Sequence, residues 1–411
     1  MHLQPRRQAR IDAAKELNVP QPTPPPGVVA SVSTDAVRRA LAIIDANRID
    51  FATLYPDDTT LRSFYHPRQR GWAAPGANVG WTTSFWPGIL WLAYELTGQA
   101  AYRAAAERHI ASFAERVEQK IDLDTHDIGF LYTLSCVAPW RLLGHAPARQ
   151  AALLAADALM LRFLEPAGIF QAWGYLANPE QRGRTIIDSL MNMPLLYWAS
   201  EQTGDPRYAE AAHRHAAQLR DHIIRPDSTT YHTFYWDAES GAPLRGRTEQ
   251  GYADESCWAR GQAWGIYGFA LNYRSTQDAS LLRAAERCAD YFLAHLPEDS
   301  VPYWDMALAD GSGEERDSSA AAIAACGLGE LARWLPEGER RQRYADAADA
   351  MLASLAERYA PRGPSESNAL LLHAVYDKPK SVGVDEGCLW GDYFYMEALM
   401  RAAKPDWQLY W

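Results

Sequence analysis

The 411-residue sequence contains no apolar run approaching the roughly 18–20 residues of a membrane-spanning helix, so no such span is expected. It also lacks a surplus of positive charge. Its 40 Lys and Arg stand against 51 Asp and Glu, a net charge of −11, which argues against a nucleic-acid partner because phosphate contacts need clustered cations. No C-x-x-C pair occurs among Cys136, Cys257, Cys288, Cys326 and Cys388. Their wide spacing, odd number and apolar neighbours predict buried thiols in a reducing compartment, not a zinc site or a disulfide framework. The N-terminus is basic but has no apolar segment of a secretory signal. The cytoplasm is therefore the expected location, or the periplasm if a leader was removed. H-E-x-x-H, G-x-S-x-G, Walker and dinucleotide fingerprints are absent, and the eleven histidines form no ligand pair beside a carboxylate. No metal and no cofactor are expected.

What is present is a globular composition, 48% hydrophobic, 11% aromatic and 22% charged. The chain exceeds the roughly 250–300 residues at which one compact core stops growing, which leaves two domains or a closed ring of repeated units. Residues 1–30 end in the Pro-rich stretch Pro20–Pro26 and read as an arm or linker. Helical periodicity then covers residues 36–47, 84–98, 99–119, 127–143, 147–164, 185–203, 205–223, 255–275, 277–295, 315–334, 338–360 and 386–403. Alternation of Val, Ile and Thr is scarce, with room for a short strand near Tyr231–Trp236 or Val301–Trp304.

A weak repeat of helix, tight polar turn and helix recurs at Leu96-Thr97-Gly98-Gln99, Leu143-Gly144-His145-Ala146, Gln202-Thr203-Gly204-Asp205, Ser275-Thr276-Gln277-Asp278 and Leu335-Pro336-Glu337-Gly338. Glycine suits the position after a helix, and aspartate suits an N-cap. The helix before each turn is apolar on most faces. The helix after it carries an Arg/Glu/Ala face, which predicts an inner and an outer helix in each unit. The expected fold is all-α: a twelve-helix (α/α)6 barrel spanning residues 31–411. The longer connections all precede inner helices and should gather at one end of the ring, where sites are usually found.

Those connections hold the unusual residues. Fifteen tryptophans are about three times the ordinary share. Trp72, Trp81, Trp86, Trp173, Trp236, Trp258, Trp264, Trp304 and Trp390 lie in loops or at inner-helix starts, where indoles either pack helices or stack on sugar rings. Asp127 and Asp188 open successive inner helices about one hairpin apart. Each is either an N-cap or a poorly solvated carboxyl in apolar surroundings, and burial raises a carboxyl's pKa toward the range of a general acid. Arg260 and His232 are loop-end cations suited to an anion, or else an ordinary ion pair and an ordinary buried or surface histidine.

Six motifs occur in order. They are Asn78-Val79-Gly80-Trp81-Thr82-Thr83-Ser84-Phe85-Trp86-Pro87-Gly88, His126-Asp127-Ile128-Gly129-Phe130, Ile187-Asp188-Ser189-Leu190-Met191-Asn192, Trp258-Ala259-Arg260-Gly261-Gln262-Ala263-Trp264, Asp317-Ser318-Ser319-Ala320-Ala321 and Trp390-Gly391-Asp392-Tyr393-Phe394-Tyr395. As a set they resemble the unsaturated glucuronyl hydrolases, glycoside hydrolase family 88, whose fold is an (α/α)6 barrel. The resemblance implies a glycosidase that takes lyase-generated oligosaccharides ending in a 4,5-unsaturated uronic acid and hydrates the C4=C5 vinyl ether. It implies that Asp188 is the general acid/base and Asp127 its essential partner. It further implies that Trp81, His126, Trp173, His232, Gln250, Arg260 and Trp264 contact the sugar, with Trp81 and Trp264 stacking, His232 and Arg260 orienting the anion and Gln250 orienting water. Before Gly383-Val384-Asp385-Glu386, members that favour sulfated substrates carry Ser-x-x-Ser-x-Lys, whereas this chain reads Asp377-Lys378-Pro379-Lys380-Ser381-Val382. Two alternatives remain: an unsaturated rhamnogalacturonyl hydrolase acting on pectin fragments, and a non-catalytic oligosaccharide-binding barrel.

Overall fold

A computed structural model describes residues 30–411, so the expected arm lies, but for Ala30, outside the described residues. Twelve helical stretches are found there. Helix α1 (Ala30–Asp50) is followed by five hairpins. The first pairs α2 (Phe85–Thr97) with α3 (Ala100–Glu118), and the second pairs α4 (residues 128–143) with α5 (Ala146–Met160). Next come α6 (Met193–Thr203) with α7 (Pro206–His222), α8 (Ala259–Thr276) with α9 (Ala279–Ala294), and α10 (Ser318–Trp334) with α11 (Glu339–Ser354). The last helix, α12 (Leu389–Ala403), packs on α1, so the two ends of the described chain form the sixth pair. The even-numbered helices touch one another in sequence, and α12 returns to α2, closing an inner ring. The fold is the (α/α)6 barrel.

The division into inner and outer helices follows from composition. In α7 only Tyr208, Ala211, Ala212, His215, Ala216 and Leu219 are buried, a single face at three- and four-residue spacing. In α8 every residue from Ala259 to Asn272 is buried. Gly98, Gly144 and Gly204 end α2, α4 and α6 in the left-handed region (φ 72°, 67° and 76°). Gln277 takes that conformation without glycine, at φ 58°. Asp205 and Asp278 accept a backbone N–H from the helices they precede.

The starts of the inner segments depart from the periodic reading. Residues 185–203 were expected to be one helix. Instead they begin in strand β3 (Arg184–Ile186), pass through a 3-10 turn (Ile187–Met191) and become α-helical only at Met193. Thr185 and Ile186 are β-branched and pair with a neighbouring strand, while Pro194 fits only a first helical turn. Helix α4 contains a π-turn, Thr133–Val137, a local irregularity that a 3.6-residue period does not report. Among the described residues seven short strands occur in place of one or two: β1 (Phe163–Leu164), β2 (Ile169–Phe170), β3, β4 (Thr233–Trp236), β5 (Pro243–Arg247), β6 (Ala374–Asp377) and β7 (Val382–Glu386). Val301–Trp304 is not a strand, and Tyr303 makes one isolated bridge to Arg316.

The sheet β3-β4-β5 is antiparallel, with Ile186 opposite Thr233 and Thr233 opposite Arg247. Pairing of this kind puts the end of β3, the start of β4 and the end of β5 at one edge. The residues just beyond those points are Asp188, His232 and Gln250. At the other end of the barrel the final residues fold inward. The Trp407 Nε1–H and the Tyr410 hydroxyl donate to Glu95 Oε2 (2.8 and 2.6 Å), and Trp411 Nε1 donates to Glu397 Oε2 (2.8 Å). The Trp411 ring lies parallel to Phe394 (6.0 Å, 11°) and edge-on to Phe130 (5.9 Å). The lumen is thus filled with aromatic rings. Among the described residues no helix is long and apolar enough to cross a membrane.

Candidate active site

Aspartates at helix starts ordinarily spend their carboxylates on the orphan N–H groups of the first turn, as Asp317 does with Ser319 and Ala320. Asp127 precedes α4 but makes no such bond. Its Oδ2 accepts instead from the Thr125 hydroxyl, 2.6 Å away. Asp188 lies within the 3-10 turn, and its buried Oδ1 has no hydrogen-bond partner. His126 Nε2 sits between them, 3.3 Å from Asp127 Oδ1 and 3.5 Å from Asp188 Oδ1. Both carboxyls are therefore directed into a common space and are not consumed by capping.

Burial dominates the electrostatics. It pushes Asp127 up to about 6, against the opposing influence of the Thr125 and Asn192 hydrogen bonds and of Arg162 and Arg116. Asp188 is raised well above the usual carboxylate range, first by burial and then by the negative charge of Asp127, with Arg260 and Arg184 acting the other way. Burial holds both His126 and His232 well below the ordinary histidine value, so both rings are neutral near pH 7. His232 Nδ1 accepts from the backbone N–H groups of Glu249 (3.0 Å) and Gln250 (3.3 Å). Its proton must therefore be on Nε2, which makes that atom a donor.

His126, Asp127 and Asp188 each bring a nitrogen or oxygen to within 4.8 Å of the others, the one such trio among the described residues. The guanidinium groups of Arg162, Arg184 and Arg260 already act on these same residues, and a second source of positive charge would be repelled in a poorly solvated place. The trio is suited to proton transfer.

The remaining expected residues fall around this centre. Trp81 is half-buried and donates from Nε1 to the Tyr376 hydroxyl (3.1 Å), with Trp390 at 5.1 Å. Trp173 lies under the Arg184 guanidinium at 4.3 Å. His232 packs on Trp258 at 4.3 Å. Gln250 Oε1 accepts from Arg260 Nη2 (3.2 Å). Arg260 is itself tied down: it pairs with the buried Asp317 (2.9 Å), donates to the Tyr376 carbonyl (2.7 Å) and also to that of Val375, and lies 4.4 Å from the Trp258 ring. The ion-pair reading of Arg260 is thus realised, and only part of its fork faces Gln250.

Trp264 is 1% exposed and packs on Phe130 (5.5 Å) and Phe394 (5.3 Å). Its ring lies beneath the site, against the aromatic filling of the lumen. Of the other loop-end indoles, Trp72 is exposed, while Trp86 and Trp236 are buried.

The sequence reading missed Thr125, Arg184, Asn192 and Tyr376. Arg184 is nearly buried, bonds Thr233 Oγ1 (3.0 Å) and lies 3.3 Å from Glu249. Its signal was a cation one residue before an apolar β-branched run. The two lysines of the β6–β7 turn are both paired: Lys378 with Glu314 (3.1 Å) and Glu315, and Lys380 with Asp377 (2.7 Å).

Comparison with known proteins gives a concordant picture. The sequence profile described as Glycosyl Hydrolase Family 88 matches residues 58–400. The unsaturated glucuronyl hydrolase of Bacillus sp. (strain GL1) is 50% identical over 328 residues, 80% of this chain and 87% of that protein. The unsaturated chondroitin disaccharide hydrolase of Streptococcus agalactiae serotype III (strain NEM316) is 45% identical over 378 residues, 92% of each. A crystal structure of unsaturated glucuronyl hydrolase from Streptococcus agalactiae superposes with a TM-score of 0.89 at 43% identity, covering 97% of this chain and 96% of that one.

Proposed function

The chain belongs to Glycosyl Hydrolase Family 88, and from that premise we propose that Asp188 is the acid and Asp127 its charged partner in a hydration reaction. The enzyme releases the 4,5-unsaturated uronic acid from the non-reducing end of lyase-generated oligosaccharides. Protonated Asp188 gives its proton to C4 of the vinyl ether, and the positive charge that develops at C5 is shared with the ring oxygen. Water adds at C5 and returns a proton to the Asp188 carboxylate. The resulting hemiketal opens, and the hemiacetal left at C1 expels the leaving sugar. The protein regains its proton and water is the only other reactant, so no cofactor enters the balance. Because attack is not at C1, carboxylate spacing does not dictate anomeric outcome as it does in ordinary glycosidases.

The observation that carries this reading is the unequal treatment of two buried aspartates. Asp127 has a hydroxyl donor, while Asp188 has an unpartnered oxygen beside a negative neighbour. A group so placed holds a proton at neutral pH and can deliver it. Around it, Trp81 supplies a half-buried ring face, and His232 supplies an Nε2–H donor. Arg260 occupies the Gln250 carbonyl oxygen, which leaves the Gln250 amide nitrogen for water or a hydroxyl. A non-catalytic sugar-binding barrel would have no use for this protonation asymmetry, and no observation here favours the rhamnogalacturonyl alternative.

The test is loss of the ultraviolet absorbance of the conjugated double bond when the protein is mixed with unsaturated disaccharides from chondroitin, hyaluronan, heparin and pectin. Turnover is expected on the uronyl disaccharides. Asp188→Asn should cut kcat by about 100-fold or more while substrate still binds. Wild-type-like turnover in that variant would refute the assignment.

A further inference from the structure

Asp188 sits in the 3-10 turn Ile187–Met191, and its buried Oδ1 has no hydrogen-bond partner. A carboxyl without a bond at that oxygen is aimed by the backbone that carries it. The Ser189 hydroxyl donates to the Ile186 carbonyl at 2.6 Å, closing the turn on itself. The same Oγ lies 2.7 Å from Nε2 of His215, a fully buried residue of the outer helix α7. At the other side of the ring, Nδ1 accepts the Phe170 N–H at 3.1 Å. A neutral imidazole carries one proton, and an accepting Nδ1 leaves it on Nε2. Burial keeps this ring neutral, pushing it down to about 3. The Nε2–H therefore donates to Ser189, whose own proton is committed to Ile186.

Phe170 opens the stretch that leads to the other acid. Two residues on, the Ala172 carbonyl accepts the His126 N–H at 2.8 Å, and Trp173 bridges to Thr125, whose hydroxyl holds Asp127. One rigid ring on α7 thus connects the segment that places His126 and Asp127 to the turn that places Asp188.

Resting on the function proposed above, we propose that His215 is a positioning residue for the hydration: through Phe170 and Ser189 it fixes the aim of Asp188 relative to Asp127. Other bonds hold the neighbourhood. The Ala172 N–H bonds the Arg184 carbonyl (2.8 Å) before the turn, and Asn192 Oδ1 accepts the Phe130 N–H (2.7 Å) after it. Within the turn, the Ile187 N–H bonds the His232 carbonyl (3.0 Å), and Asn272 Nδ2 bonds the Leu190 carbonyl (3.0 Å). Those two tie the turn to β4 and α8, whereas His215 ties it to the segment beside Asp127.

Ser189→Ala deletes one hydroxyl from the turn, and His215→Phe keeps a ring while removing both nitrogens. On unsaturated uronyl disaccharides, followed by ultraviolet absorbance, each folded variant should lose kcat about tenfold or more with KM changed by no more than about twofold, because a displaced acid is felt in proton transfer and not in sugar binding. His215→Gln, whose amide nitrogen replaces the Nε2 donor, should recover much of the loss. A merely structural tie would lower melting temperatures and leave kcat per folded molecule intact. Wild-type kcat in either folded variant, a loss confined to KM, or a His215→Gln enzyme no better than His215→Phe overturns the proposal. The unmodified protein decides the matter if the variants do not fold. With histidine labelled with nitrogen-15, the His215 proton should stay on Nε2 between about pH 5 and 9, and a proton on Nδ1 or a ring that titrates in that range also overturns the proposal. If wild-type protein turned over no unsaturated disaccharide, the functional reading would fail, while the ring resonances would still report on the bonds to Ser189 and Phe170.

Discussion

Replacing Asp127 by asparagine tests whether Asp188 is held protonated partly by its neighbour. Asp188 is raised first by burial and second by the Asp127 charge, and the variant removes only the second cause. The interacting atoms lie within 4.8 Å of one another. At an effective dielectric constant of about 20, two unit charges at that distance repel by about 3.5 kcal/mol, or roughly 2.5 pH units. The sign follows directly. Without the negative neighbour, ionised Asp188 becomes easier to form, its pKa falls, and the alkaline limb of the kcat/KM profile moves to lower pH by up to that amount. Because both residues are buried, added salt should change the shift little. Absorbance assays across pH give the limb. A carbon-13 titration of the Asp188 carboxyl gives the same quantity should turnover in the variant be too slow to follow. An alkaline limb that stays in place, or moves upward, would refute like-charge coupling and leave burial as the sole cause.

Two further perturbations separate framework from chemistry. Arg260→Ala leaves Asp317 buried without its ion-pair partner, and a loss of about 3–5 kcal/mol in urea unfolding is expected; a variant of unchanged stability whose substrate affinity alone falls would return Arg260 to a purely sugar-binding role. Trp411→Ala removes a ring packed on Phe130, Phe394 and Tyr393 and should cost about 3–5 kcal/mol, with Trp411→Phe recovering much of it in thermal melts and the pH profile of activity unmoved.

The ring was legible in the sequence because it rests on local signals. Apolar faces recur at helical spacing, and Gly98, Gly144 and Gly204 mark where inner helices stop. The sheet edge that gathers Asp188, His232 and Gln250 was not legible, since its strands are short and their partners lie tens of residues away. Thr185-Ile186 reads equally as helix or strand until β4 is placed beside it. The motifs pointed to residues that the structure brings near one another, but the use each side chain makes of its atoms was not legible. Trp264 and Trp81 are the same residue type at similar loop-end positions, yet one is floor and the other is half-exposed wall. Asp127 and Asn192 both have the chemistry of N-caps, and both forgo capping, Asp127 for the Thr125 hydroxyl beside it and Asn192 for the Phe130 N–H on α4. Nothing within a few residues of either distinguishes it from Asp205 or Asp278, which do cap.

How a chain of net charge −11 receives an anionic sugar follows from the direction of its helices. Each inner helix enters from a long loop, five of them leave through a tight turn into an outer helix, and α12 packs between α10 and α2 in the same ring, so all six present their N-terminal ends to the same side. Each such end carries roughly half a positive charge, effective within about one turn. A cap that bonded the first N–H groups would blunt this field where it is wanted, and α2, α4, α6, α8 and α12 have no side-chain cap at all. The neutral histidines add donors without adding charge, and Arg260 is largely balanced by Asp317. Positive potential at the site is therefore supplied by backbone and by Arg162 and Arg184, groups that do not titrate near neutral pH. The only protons free to move there are those on Asp127 and Asp188, which is what a one-proton transfer to carbon requires.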